Sequence, residues 1–282
     1  MKGIKPLQDH LPQKLVISPN SGERHYWREL WSYRELLYIL SWRDIRVRYK
    51  QTFLGAAWSI IRPLLATIFF TIVFHRVAKM EAPGGAPYAI LVFSGMLPWQ
   101  FFVNAFSESG NSLVGHADLI SKVYFPRMII PASAIFTSLV DFFISVLLLI
   151  VVCIFFRFMP PWQVIFLPVF LLMGIITSFG FGLWVSALQV SYRDFRFIIP
   201  FLIQFGMYIT PVGFSSEVVP GKWRLLYALN PMVGVIDGFR WCIIGQDIHY
   251  QSMLVSVTVS FLLLILGTRY FRATEKYFAD II

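Results

Sequence analysis

Apolar residues gather into six long stretches, at about 53–74, 88–106, 128–156, 164–190, 195–214 and 253–271, separated by polar and basic segments. Each approaches or exceeds the roughly 20 residues that carry an α-helix across a bilayer. Helices are the expected form because a backbone in lipid must satisfy its own hydrogen bonds, and the short alternating segments of a membrane β-barrel are not the pattern here. The expected fold is therefore an all-α polytopic membrane protein with six transmembrane helices. The third and fourth stretches exceed the need, which predicts tilt or a projecting end.

The segments between the stretches carry patterns of their own. Across 26–52, Arg28, Ser32, Glu35, Arg43, Arg46 and Lys50 recur on one helical face, and Leu30, Tyr33, Leu37 and Leu40 on another, with Trp27, Trp31, Tyr38 and Trp42 added. This predicts an N-terminal amphipathic helix lying in the membrane interface, with a solvated helix docked on protein as the alternative. Residues 1–25, with Pro12, Pro19 and Gly22, predict a flexible tail. Residues 107–127 predict a loop with a short helix and a turn. Residues 218–245 hold two short apolar, aromatic segments broken at Asn230-Pro231. Both are too short to span, so they predict re-entrant or interfacial helices, a gate or lid, with a plain surface hairpin as the alternative.

Composition agrees with a membrane protein: 57% of the 282 residues are hydrophobic and 14% charged, against about 25% charged in soluble domains. Even-numbered spanning puts both termini on one side. That side holds 17 lysines and arginines; the other holds six (Arg76, Lys79, Arg157, Lys222, Arg224 and Arg240), with Arg62 inside the first stretch. The imbalance predicts cytoplasmic termini. The net charge of +9 then implies affinity for anionic lipid rather than nucleic acid. No cleavable leader is apparent in the polar N-terminus. Cys153 and Cys242 lie in apolar surroundings and suit neither a disulfide framework nor a metal site.

Few residues carry candidate chemistry. Arg62 falls nine residues into the first stretch, about 13 Å along a helix, where it can snorkel to the surface or meet a headgroup. Asp141 is the one acid deep in a stretch. An acid there points to function, though without partner acids a helix–helix hydrogen bond or a polar cavity fits better than a proton relay. Gly174, Ser178, Gly182 and Ser186 form a small-residue stripe suited to close packing within the subunit or between copies. No GxxxxGK[ST] phosphate loop, HExxH or GxSxG occurs, and the five histidines lack metal-ligand spacing. Aromatic residues make up 17% of the chain. An interfacial belt accounts for most of them, and the rest could line a path on which sugar faces stack weakly.

The run Trp42-Arg43-Asp44-Ile45-Arg46-Val47-Arg48-Tyr49-Lys50-Gln51-Thr52, continuing to Arg62-Pro63-Leu64, resembles the opening of the permease subunits of ABC-2-type polysaccharide exporters. Gly95–Phe102, Ile120–Arg127, Tyr192–Arg196, Leu229-Asn230-Pro231 and Gly238-Phe239-Arg240 are similar to further motifs of that family, in the same order. The resemblance implies a homodimeric channel in the bacterial inner membrane with two separate ABC ATPase subunits. Those subunits would use the ATP and magnesium, and this chain would bind no cofactor. The implied cargo is undecaprenyl-pyrophosphate-linked polysaccharide: O-antigen first, with capsule, teichoic acid, lipid or drug as other cargoes of the same architecture. A membrane-embedded transferase acting on lipid-linked sugars is the rival from another class. Under the resemblance Arg46, Arg48, Lys50 and Arg62 would meet the pyrophosphate at the entrance, guanidinium forks suiting phosphate oxygens. Glu108, Asn111, Lys122 and Arg127 would contact the ATPase. Trp99, Phe102, Asp141, Trp223, Tyr227 and Trp241 would line the channel or its outer gate.

Overall fold

The computed structural model describes residues 23–50, 55–192 and 194–278; most of the expected N-terminal tail lies outside them. In chain order the helices are α1 (Glu23–Ser32), α2 (Arg34–Lys50), α3 (Gly55–Phe70), α4 (Tyr88–Gly115), α5 (Ala117–Lys122), α6 (Ile129–Phe155), α7 (Leu167–Ser191), α8 (Phe195–Ile209), α9 (Gly221–Tyr227), α10 (Pro231–Ile244) and α11 (Tyr250–Glu275). No strand occurs among the described residues. The protein is an all-α polytopic membrane protein.

Among the described residues, five helical segments are long and apolar enough to cross a bilayer: Ile60–Val77, Tyr88–Gly115, Ile129–Phe155, Trp162–Ser191 and Tyr250–Glu275. The first joins α3 to a wider π-helical segment, Thr71–Val77. The fifth apolar stretch of the sequence is shorter as a helix than its composition suggests. α8 stops at Ile209, and Thr210 is extended, at φ −88° and ψ 142°, as expected of a residue ahead of a proline, here Pro211. Its 15 residues rise about 22 Å, less than the roughly 30 Å hydrocarbon core.

A second departure concerns 107–127. The helix of the second stretch does not end near 106 but continues as α4 to Gly115, leaving only α5 and a short turn as connection. Ser107, Glu108 and Ser109 look like a membrane exit, yet nothing there breaks a helix, and the Ser109 hydroxyl donates to the Pro131 carbonyl at 3.1 Å.

α4 is the axis on which α3, α6, α7, α8 and α10 pack. Ile90, Leu91, Val92 and Phe93 are wholly buried. The small-residue stripe of α7 packs inside the subunit: a Cβ on Gly182 would stand 2.6 Å from Ser109 Cβ of α4, and one on Gly174 would touch Val235 and Phe101. A second close approach joins α7 to α11, where a Cβ on Gly267 would stand 2.3 Å from the Gly180 carbonyl oxygen. Beside it, Thr177 Oγ1 donates to Ser260 Oγ at 2.9 Å, a polar link between helices.

α10 is no surface hairpin. Asn230 caps it by accepting from the Met232 amide at 3.1 Å, and Pro231 occupies the first turn. Gly245 closes it in the left-handed region, at φ 73°. Nearly every side chain from Pro231 to Ile244 is buried against α4, α7 and α11. α9, by contrast, exposes Trp223, Leu225 and Leu226.

Candidate functional site

The basic helix α2 divides its cations between two environments. Arg46 and Lys50 are exposed, and the Arg46 guanidinium sits 5.1 Å from the Trp42 ring centroid. Arg48 turns inward. Its Nη1 donates to Asp141 Oδ2 of α6 at 2.6 Å, and its Nη2 pairs with Glu108 of α4. Tyr49 adds a 2.5 Å hydrogen bond to Asp141 Oδ1. The intramembrane acid therefore joins α2 to α6, and Glu108 faces this cluster rather than the outer surface of a loop.

These groups border a cavity of about 210 Å³ between α2, α3, α4 and α6. Arg62 lines it, along with Gln100, Asn104 and Glu108, which recur every fourth residue of α4, and its apolar walls include Leu97, Phe101 and Phe142. Gln100 Nε2 donates to Asn104 Oδ1 at 2.9 Å. Sequence reasoning missed Gln100 and Asn104. The signal available was their i, i+4, i+8 spacing with Glu108 in an otherwise apolar helix.

A second cavity, about 250 Å³, lies toward the helix ends and includes Asp44, Asn111, His116 and Thr137 in its lining. Arg48 and Glu108 line both cavities and form the partition between them. At its rim Arg43 bonds Asp44 at 2.8 Å and His116 of the α4 terminus.

The other expected contact residues scatter. Asn111 is exposed but accepts from Gln189 Nε2 of α7 at 2.9 Å. Arg127 is held by the end of α11: its amide donates to Glu275 Oε1 at 2.8 Å and its guanidinium to the Glu275 carbonyl. Lys122 stands exposed on α5, 4.0 Å from Asp118, with Tyr124 exposed beside it. Partial desolvation by its neighbours raises the Tyr124 phenol above its usual range, and nearby Glu29 and Glu275 add to the shift.

The expected channel and gate residues fall into four places rather than one. Asp141 borders the polar cavity. Trp99 and Phe102 line a separate apolar cavity of about 440 Å³ with Phe106, Phe181 and Trp184, and the Trp99 ring lies against Gly206 of α8. Trp223 and Tyr227 belong to α9, whereas Trp241 packs against Phe166 and Phe170.

Arg240, counted from the sequence among the six cations of the side opposite the termini, is wholly buried. Its Nη2 donates to the Val212 carbonyl at 3.1 Å, close to Gly95 of α4. A Cβ on Gly95 would stand 2.7 Å from the Val212 oxygen and 3.0 Å from Arg240 Nη2. The motifs around Gly95 and Gly238–Arg240 thus meet in space. Burial lowers the guanidinium pKa to about 10, countered by Asp237, whose own carboxyl burial raises.

The family described as ABC-2 type transporter matches residues 35–244 of the chain. The O-antigen export system permease protein RfbA of Klebsiella pneumoniae is 26% identical over 249 residues, 88% of this chain and 95% of the relative. RfbA of Myxococcus xanthus is 27% identical over 256 residues, 90% of this chain and 97% of the relative. The polysialic acid transport protein KpsM of Escherichia coli is 22% identical over 245 residues, 83% and 91% of the two chains.

Proposed function

The chain belongs to the ABC-2 type transporter family, and from that premise we propose that it is the membrane permease subunit of an ATP-driven exporter of lipid-linked O-antigen. The observation that carries the reading is its similarity, over nearly the whole of both chains, to two O-antigen export permeases. A shared name alone would weigh little; the match runs over 88–90% of this chain and 95–97% of these relatives. The rival transferase needs a reactive polar cluster. The polar groups of the inner cavity instead hold one another, Arg48 by Asp141 and Glu108, and Gln100 by Asn104.

In this reading two copies of the chain enclose the path in the bacterial inner membrane, with both termini in the cytoplasm, and the 17-to-6 distribution of cations supports that orientation. ATP and magnesium are used by two separate ATPase subunits, which dock near α5, where Lys122 is exposed. The cargo's undecaprenyl-pyrophosphate meets the basic entrance at Arg46 and Lys50, while Arg48 and Arg62 line the cavity behind it. Exposed Arg46 and Lys50 suit the first encounter, because the anionic group reaches them without breaking an ion pair. Trp99, Phe102 and the α9–α10 aromatics serve the path and its outer gate.

The test replaces Arg46, Lys50 and Arg62 together with alanine and measures surface polysaccharide at matched permease levels. Export should fall at least several-fold. Unimpaired export would remove these residues from the cargo-handling role.

A further inference from the structure

We propose that the inner cavity between α2, α3, α4 and α6 is a recognition site for a sugar ring of the cargo, not for its pyrophosphate. The inference rests on the export reading above and assigns the ligand class of one chamber within it.

The first argument is charge. Arg48 and Arg62 bring two guanidinium groups to the lining, and Glu108 and Asp141 bring two carboxylates. A pyrophosphate placed there would be attracted by one pair and repelled by the other, and would compete with the carboxylates already on Arg48. A neutral polyol meets no such opposition. Its hydroxyls both donate and accept, and the chamber offers acceptors (Glu108, Asp141), donors (Arg48, Arg62) and groups that do both (Gln100, Asn104).

The second argument is shape. About 210 Å³ would hold roughly seven waters at about 30 Å³ each, which is room for one sugar ring after some are displaced. Phe101 and Phe142, their rings edge to face at 5.7 Å, close the wall along with Leu97 and make that side of the chamber apolar.

The third argument is access. The second cavity leads from the basic end of the bundle, cytoplasmic in the proposed orientation, to the same Arg48–Glu108 pair. A sugar arriving this way meets that pair as a partition and can exchange hydrogen bonds with it.

The experiment installs Asn104→Cys, and in parallel Gln100→Cys, in the full-length chain; native Cys153 and Cys242 are both buried. Alkylation of the new thiol by a small maleimide is timed with two probes. One is oligosaccharide released by mild acid from the surface polysaccharide of the cells that make this protein; the other is inorganic pyrophosphate. The expected result is that the oligosaccharide slows alkylation at least fivefold at both positions and pyrophosphate does not. Protection by pyrophosphate instead, or by neither probe, overturns the proposal. Elution and thermal unfolding are checked first; should one variant misfold, the other carries the test. Deleting the gene separates the two readings. If surface polysaccharide persists, the export reading itself fails. If it is lost while the oligosaccharide gives no protection, only the sugar site fails.

Discussion

Arg48 Nη1 lies 2.6 Å from Asp141 Oδ2, a contact that fastens the end of α2 to the middle of α6 across 93 residues of sequence. A carboxylate inside a spanning helix is costly unless paired, and here the partner is a cation from outside the span. The link makes the position of α2 depend on an ion pair rather than on apolar packing alone.

Asp141→Ala should therefore destabilise the folded chain by about 3 kcal/mol, the low end for a broken buried pair because Arg48 keeps Glu108. Asp141→Asn should cost less, since its one amide oxygen still accepts from either Tyr49 or Arg48. Thermal unfolding of the purified chain followed by tryptophan fluorescence reads both. Equal stability of Asp141→Ala and the parent would mean that the contact does not hold α2 in place.

Gly95→Ala should be poorly tolerated, because the new methyl would meet a backbone oxygen at 2.7 Å and the buried guanidinium of Arg240. Overpacking of this kind costs about 1–3 kcal/mol. Gly115→Ala has open space and is the matched control. The yield and unfolding temperature of the two variants should diverge; matching values would contradict the close approach of α4 to Arg240.

Two tryptophans should separate stability from transport. Trp99 is 4% exposed, and its loss should cost about 3–5 kcal/mol. Trp223 is 53% exposed, so Trp223→Ala should leave stability within about 0.5 kcal/mol. Any export defect of Trp223→Ala then reports on the outer gate. If unfolding shows Trp223→Ala to be as damaging as Trp99→Ala, the placement of α9 is wrong.

Lys122→Glu combined with Tyr124→Ala should lower recovery of the partner ATPase in pull-down by several-fold without shifting the unfolding temperature, because both side chains are exposed at α5. Undiminished recovery would place the docking surface elsewhere.

Five of the six expected spans and α2 were legible because hydrophobic runs and helical periodicity are local properties. The exit of α4 was not, because a helix projecting beyond the membrane carries the same polar residues as a loop; only contacts such as Ser109 with Pro131 show that it continues. Arg240 illustrates the same limit. In sequence it is one more cation in a connecting segment, and its burial against Val212 depends on α10 folding inward, which periodicity does not report. The inner cavity was half visible. Arg48, Arg62, Glu108 and Asp141 each stood out, but as an entrance, an anchor, a docking residue and a lone acid. Their meeting depends on which helices are neighbours, and a single sequence does not supply that.

As an O-antigen export permease, this chain would be the conduit for surface polysaccharide. The most direct test deletes its gene in the cells that make it and follows both surface polysaccharide and the lipid-linked polymer inside. The expected result is loss of the surface polymer and accumulation of the lipid-linked form, both reversed when the intact chain is restored. Surface polysaccharide at undiminished levels in the deletion strain would contradict it.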